Sequence, residues 1–102
     1  MQRIGTFAFT ATLRLHPGEG GWHFVTLPAD VATDVRDLSA GRQHGFGSVR
    51  VRVTVGRTTW RTSVFPESAT GSYVLPVKKA IRTAERLAVG GDVLVTLELL
   101  DL

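Results

Sequence analysis

The chain has 102 residues, 43% of them hydrophobic and 21% charged, so it is long enough for one packed core and too apolar for a disordered tail. It contains no cysteine, which excludes disulfides, thiolate nucleophiles and cysteine-ligated zinc, and which favours a reducing, cytoplasmic setting. Twelve lysines and arginines against nine carboxylates leave a net charge of +3, an excess too small to identify a partner. We therefore expect one domain over residues 1–102, with neither a signal peptide nor a membrane span.

The first third of the chain predicts two strands and a helix. "TFAFTATLRL" alternates with period two, and its apolar face carries Phe7, Phe9, Ala11, Leu13 and Leu15. The turn residues of "HPGEGG" separate it from a second strand, "WHFVTL". In "LPADVATDVRDL" the period changes, because Val31, Val35 and Leu38 share a helical face after a proline that suits a first turn.

The middle third predicts a β-hairpin. "SVRVRVTV" is the clearest strand pattern, and "TTWRTSVF" follows it after Gly56-Arg57. Glycine at the first of two linking positions is typical of a type II′ turn. The two strands are therefore expected to pair, with Val53 opposite Trp60 and Arg52 opposite Arg61.

The last third predicts a strand, a helix and a strand. "YVL" leads to Pro76 and to a helical pattern in which Val77, Ile81, Ala84 and Ala88 share a face. Gly90-Gly91-Asp92 is expected to stop this helix, and "VLVTLELL" then reads as a final strand with one apolar side.

The order of elements occurs twice. Pro28 and Pro76 lie 48 residues apart, and each is preceded by a strand and followed by a short helix, a glycine-containing break and a valine-rich strand. One such unit cannot bury its apolar face alone, and closing two of them on each other removes exposed strand edges. We therefore predict an all-β fold: a small closed six-stranded β-barrel with two short helices and two pseudo-symmetric halves.

Several stretches together resemble a bacterial family catalogued as domain of unknown function 1905. They are "GWHFVTLP", the hairpin with Trp60, Ser63 and Pro66, then Gly71 and Tyr73, the helix start "VKKAIR" and the turn "GGD". The resemblance implies a small closed barrel, in some members fused to a YdeI-like or OmpD-associated domain that these residues do not include, and it implies no established reaction. The second half is also similar to the strand–helix–strand element of the AbrB-like swapped-hairpin regulators, which is an analogy of architecture.

The hairpin register places Arg50, Arg52 and Arg61 on one face, with Arg57 at the tip. Directly opposed arginines repel, so a carboxylate such as Glu98 or Glu67, solvent, or a partner is expected to offset them. The partner hypotheses are an acidic protein and nucleic acid, whose phosphates would also meet Lys78, Lys79 and Arg82 on the second helix. Because Trp60 and most phenylalanines fall on core faces, no stacking platform is expected, which disfavours a single-strand binder.

The remaining chemistry-bearing residues form no recognised site. His16, His23 and His44 lack the spacing of metal ligands, and no nucleophile elbow or phosphate-loop motif occurs. Trp22, His23 and Tyr73 begin strands near the two Leu-Pro corners, where a ligand pocket at the barrel mouth is conceivable. A convergence of histidines with acidic residues of the first helix would be needed for acid–base chemistry.

The function expected from the sequence is therefore a non-catalytic, cytoplasmic binding module of unknown ligand, without cofactor or metal. The alternatives are a nucleic-acid-binding or regulatory protein that uses the arginine face, and a small-ligand site at the barrel mouth. For each of these functions we expect a monomer or a small homo-oligomer that does not bind membranes.

Overall fold

A computed structural model describes residues 5–18 and 20–100. They form seven β-strands, two α-helices and one 3-10 turn. The strands are β1 (Thr6–Thr12), β2 (Arg14–Leu15), β3 (His23–Thr26), β4 (Val49–Val55), β5 (Thr58–Glu67), β6 (Ser72–Pro76) and β7 (Asp92–Leu99). The helices are α1 (Ala29–Leu38) and α2 (Lys79–Ala84), and the 3-10 turn is Gly45–Gly47.

The strands form one curled antiparallel sheet in the order β1-β7-β4-β5-β6-β3-β2. The prediction of an all-β protein with two short helices is confirmed. The prediction of a closed six-stranded barrel is wrong, because the sheet has seven strands and its edges are β1 and β2.

The additional strand arises from a bend at Leu13. The predicted first strand splits there: its first part pairs with β7 and its second part with β3, at the other edge of the sheet. The backbone of Leu13 still bonds to the turn before β7, since its N–H donates to the Gly91 carbonyl (2.9 Å) and its carbonyl accepts from the Gly90 N–H (2.8 Å). Leu13 itself is fully buried, whereas Leu15, beyond the bend, is 45% exposed. Leu15 is therefore not on the apolar face where the alternation placed it.

The core lies on the concave face of the sheet. Alternate residues of β4 and β7 point into it, as period-two strands require, and the valines of α1 and Ile81 of α2 cover it. The strand residues in this cluster include Val51, Val53, Val95, Leu97 and Leu99. Phe24 and Val74 are also buried but lie outside the cluster, because they belong to the convex face of β3 and β6.

The predicted hairpin register is confirmed. Val53 pairs with Trp60, Arg52 with Arg61 and Arg50 with Ser63. Of the two linking residues only Gly56 has a positive φ, 58°, as a type II′ turn requires. Trp60 packs against the core, as the register predicted.

The strand–helix–strand order occurs twice, with β3 paired to β6 and β4 paired to β7. The two helices begin at Ala29 and Lys79, 50 residues apart. The two prolines are 48 apart and so are not equivalent: Pro28 caps α1, whereas Pro76 ends β6 opposite Phe24. The spacing of the two Leu-Pro dipeptides thus differs by two residues from the spacing of the two helices.

The second helix is shorter than its pattern predicted. It ends at Ala84, and Arg86 adopts a left-handed conformation with φ 53°, so the chain leaves the helix before the glycines. Val77 and Ile81 are buried, but Ala84 and Ala88 are exposed and the predicted apolar face is only half used. Neither helix in the described part of the chain is long and apolar enough to cross a membrane.

Candidate functional site

Two groups of residues that the sequence analysis treated separately meet in one cleft, the basic cleft. It has a volume of about 400 Å³ and lies between the loop before β3 and the start of α2. Trp22 and His23 come from the first group, and Lys78, Lys79 and Arg82 come from the second. The other lining residues are Gly20, Gly21, Pro76 and Val77.

The polar side chains of the basic cleft are partly fixed. The Arg82 guanidinium donates to the Val77 carbonyl at 2.7 Å, which holds it against the cleft and leaves other N–H groups for a ligand. His23 bonds through Nδ1 to the Gly21 carbonyl. Because a carbonyl oxygen only accepts hydrogen bonds, Nδ1 is the donor in this bond. Nε2 is the ring nitrogen left for a hydrogen bond to a ligand. Within the described residues, no carboxylate pairs with Lys78, Lys79 or Arg82.

Tyr73 does not belong to this cleft. It is 3% exposed and packs in the core, and the Arg36 guanidinium lies 5.7 Å from its ring centroid. The side chain points inward because Tyr73 alternates with Val74 along β6, and Val74 occupies the convex face. The predicted pocket therefore keeps Trp22 and His23 and loses Tyr73.

A second cleft, the aromatic cleft, adjoins the first on the convex face of the sheet. Its volume is about 570 Å³, and it shares Trp22 and Pro76 with the basic cleft. The remaining lining residues are His16, Phe65, Pro66, Glu67, Ser68 and Val74. Trp22 and Phe65 are each 39% exposed. Two partly exposed aromatic side chains therefore lie in one cleft, which the sequence analysis did not expect.

The Trp22 ring packs against a neighbouring aromatic ring. It stacks on Phe24 with ring centroids 4.9 Å apart and an interplanar angle of 25°. His16 meets its edge at 6.4 Å. Phe65 lies beside the buried Val74, its cross-strand neighbour on the same face. Two aromatic side chains thus adjoin buried apolar residues and present their remaining surface to solvent.

The third cleft, the arginine cleft, shares Phe65 with the aromatic cleft. It has a volume of about 370 Å³ and includes Arg50, Arg61, Thr62 and Ser63. Arg57 lies apart, exposed at the hairpin tip. The basic, aromatic and arginine clefts are contiguous through these shared residues, and we call the three together the outer groove.

Arg52 is not in the outer groove. Its guanidinium pairs with the Glu98 carboxylate at 2.9 Å, on the side of β4 away from Arg61. Glu98 is one of the two carboxylates that the sequence analysis named as a possible offset, so the opposed arginines do not by themselves require a partner. Glu67, the other one, accepts a hydrogen bond from the Thr70 hydroxyl at 2.9 Å and lines the aromatic cleft.

Phe65 is the site residue that the sequence analysis missed. The hairpin register already placed Arg61 and Ser63 on the face opposite Trp60, and alternation puts Phe65 on that same face. Strand alternation was therefore sufficient to predict that Phe65 lies on the same face as Arg61 and Ser63. The same alternation puts Trp22 and Phe24 on one face of the predicted strand "WHFVTL", but it does not show that the two rings stack.

The histidines do not converge. His16 and His23 line different clefts, and the Nδ1 of His16 accepts from the Gly18 N–H within its own turn. His44 lies beside the 3-10 turn, and its N–H bonds to the Ser48 carbonyl. No group of three metal-ligating side chains occurs among the residues that the structure describes.

Comparison with known protein families gives a match over most of the chain. The profile of domain of unknown function 1905 (DUF1905) matches residues 9–97, which include both helices and nearly the whole sheet. A search of curated proteins found no match. The matched segment contains every residue of the outer groove, and the chain belongs to the DUF1905 family.

Proposed function

We propose that this protein is a non-catalytic binding module and that the basic cleft is its anion-binding site. The observation that supports the proposal best is the convergence of Lys78, Lys79 and Arg82 with His23 and the Trp22 ring. A cleft with several cations, and with no carboxylate among the described residues that line it, favours a phosphate or carboxylate group. A cytoplasmic setting is part of the proposal, since a chain without cysteine suits a reducing compartment.

The cleft is better suited to binding than to turnover. Its fixed elements are a guanidinium bonded to a backbone carbonyl and an imidazole bonded to a backbone carbonyl. Both bonds restrict the orientation of these side chains, which lowers the conformational entropy lost when a ligand binds. Among the described residues of the lining, His23 has no carboxylate neighbour of the kind that usually holds a catalytic imidazole in place.

The test is a titration of the ¹⁵N-labelled protein with inorganic pyrophosphate, followed by amide chemical shifts. We expect shifts at Gly20, Gly21 and Val77 to Lys79, which surround the cleft. The double variant Lys78→Gln/Lys79→Gln should weaken binding about tenfold or more, because charge-assisted bonds contribute about 1.5–3 kcal/mol each.

Arg42→Gln/Arg57→Gln is the matched control. It also removes two positive charges, both from exposed positions outside the cleft, and should leave binding unchanged. Equal losses in both variants would mean that pyrophosphate responds to net charge alone. That result, or an absence of shifts around the cleft, would contradict the proposed site.

A further inference from the structure

We propose that the outer groove binds single-stranded nucleic acid. Bases stack on Trp22 and Phe65, and backbone phosphates lie near Lys78, Lys79 and Arg82 at one end and Arg61 at the other. This inference rests on the proposed function, because the basic cleft supplies one end of the path.

The aromatic side chains have the properties of a stacking platform. Each is 39% exposed; Trp22 is stacked on the ring of Phe24, and Phe65 lies beside the buried Val74, its cross-strand neighbour. A ring already held in place loses little conformational freedom when a base covers it. Base–aromatic stacking contributes about 1–3 kcal/mol per base and tolerates any base, since every base has a π face.

The platform and the cations form one path. Trp22 and Pro76 line both the basic and the aromatic cleft, and Phe65 lines both the aromatic and the arginine cleft. Phe65 on β5 and Trp22 beside β3 are separated by β6, and neighbouring strands lie about 5 Å apart. The two rings are therefore neighbours on one face rather than isolated exposed residues.

The charge of the groove suits a polyanion. In the part of the chain that the structure describes, five lysines and arginines line the three clefts, and Glu67 is the single carboxylate in their linings. Arg14, which pairs with Phe24 at the outer edge of the sheet, adds another exposed cation beside the same face. Cations at both ends with rings between them match a backbone whose bases alternate with phosphates.

The rings also discriminate between nucleic-acid classes. In a duplex the base faces are stacked on one another, and side chains meet only base edges and the backbone. Stacking on Trp22 and Phe65 needs unpaired bases. An inorganic polyanion such as polyphosphate would use the cations but would gain nothing from the rings.

The experiment is fluorescence anisotropy with a labelled oligothymidylate of about eight nucleotides, a length within the range that one such groove covers. Trp22→Ala and Phe65→Ala should each weaken binding about tenfold, from the loss of one stacked base. Trp22→Phe and Phe65→Tyr keep a ring and should retain most of the affinity, which separates stacking from damage to the fold. Phe46→Ala, which removes a 97% exposed ring outside the groove, is the matched control and should have no effect.

The salt dependence tests the phosphate contacts. Lys78→Gln/Lys79→Gln should lower the slope of log affinity against log salt by up to about 1.4, from two contacts of about 0.7 each. Equal affinity for duplex DNA, equal competition by inorganic polyphosphate, or wild-type affinity in both ring-removing variants would overturn the inference. If pyrophosphate binds at the basic cleft and the oligonucleotide does not bind, the inference fails and the proposed function stands. If neither binds, both fail.

Discussion

At the scale of the residue, Phe46 combines an unfavourable backbone conformation with a side chain that is not buried. It is 97% exposed and has φ 60° and ψ 22°, a left-handed conformation that favours glycine. The turn around it is closed by backbone bonds from Gly47 N–H to the His44 carbonyl and from Ser48 N–H to the Gly45 carbonyl. The side chain therefore contributes no burial to offset the backbone strain.

Phe46→Gly should stabilise the protein by about 0.5–1 kcal/mol. The left-handed conformation costs an L-residue about 1–2 kcal/mol, and the greater freedom of glycine in the unfolded chain removes part of that gain. Urea unfolding measures the change. Phe46→Ala keeps the strain and should leave the stability nearly unchanged, so a loss of stability in the glycine variant would contradict the strained turn.

The individual site residues differ in how far the sequence determines them. Trp22, His23 and the cations of α2 were named from the sequence, but as two separate sites, because no local pattern shows that the loop before β3 meets the start of α2. Tyr73 was placed wrongly, since the first residues of a strand look alike whether they point into the core or out of it. Phe65 follows from strand parity once the hairpin register is known.

At the scale of the element, the hairpin is the part of the fold that the sequence predicts best. Gly56 fixes the turn, the turn fixes the register, and the register decides which residues face the core. All of these are local effects. The neighbour on the other side of β4 is β7, and the pairing of Arg52 with Glu98 is a contact between distant segments that no local pattern contains.

Glu98→Gln should destabilise the sheet more than Arg52→Gln. The first change leaves Arg52 opposed to Arg61 without this carboxylate, whereas the second removes the ion pair and the repulsion together. Because both side chains are partly exposed, 40% and 30%, the difference should be only about 0.5–1 kcal/mol. Urea unfolding of both variants at low salt measures it.

The salt dependence of that difference is the control. At about 1 M salt the Debye length falls to about 3 Å, so the two variants should become nearly equal in stability. A larger loss from Arg52→Gln than from Glu98→Gln would show that Arg61 does not repel its cross-strand neighbour.

At the scale of the whole molecule, the bend at Leu13 gives the sheet its shape. The strand alternation runs through this residue without a break, so the sequence indicated one strand where the structure has two. The cause is tertiary: β1 pairs with β7 and β2 pairs with β3, and one straight strand cannot reach both. The spacing of the two prolines was misleading for a similar reason. Both follow a leucine, but Pro28 precedes a helix and Pro76 ends a strand, so they do not occupy equivalent positions in the two halves.

Leu13→Ala should destabilise the protein by about 2–5 kcal/mol, the usual range for a fully buried leucine. Leu94→Ala on β7, where the side chain is 67% exposed, should change stability by less than about 0.5 kcal/mol. Hydrogen exchange of the Leu13 variant should show lost protection in both β7 and β3, since Leu13 connects the strands that pair with them. Loss confined to one edge would contradict that role, and Leu13→Ile provides a milder variant for the same measurement.

The pairing of β1 with β7 has a consequence for biosynthesis. Thr6 lies opposite Glu98, so β1 leaves the ribosome before the other strands of this sheet and meets its partner only after they have been translated. The β2–β3 and β4–β5 pairs join segments close in sequence and can form earlier. Until β7 emerges, the Phe7 and Phe9 side chains have no strand partner, and this nascent segment is where chaperone binding or aggregation would begin.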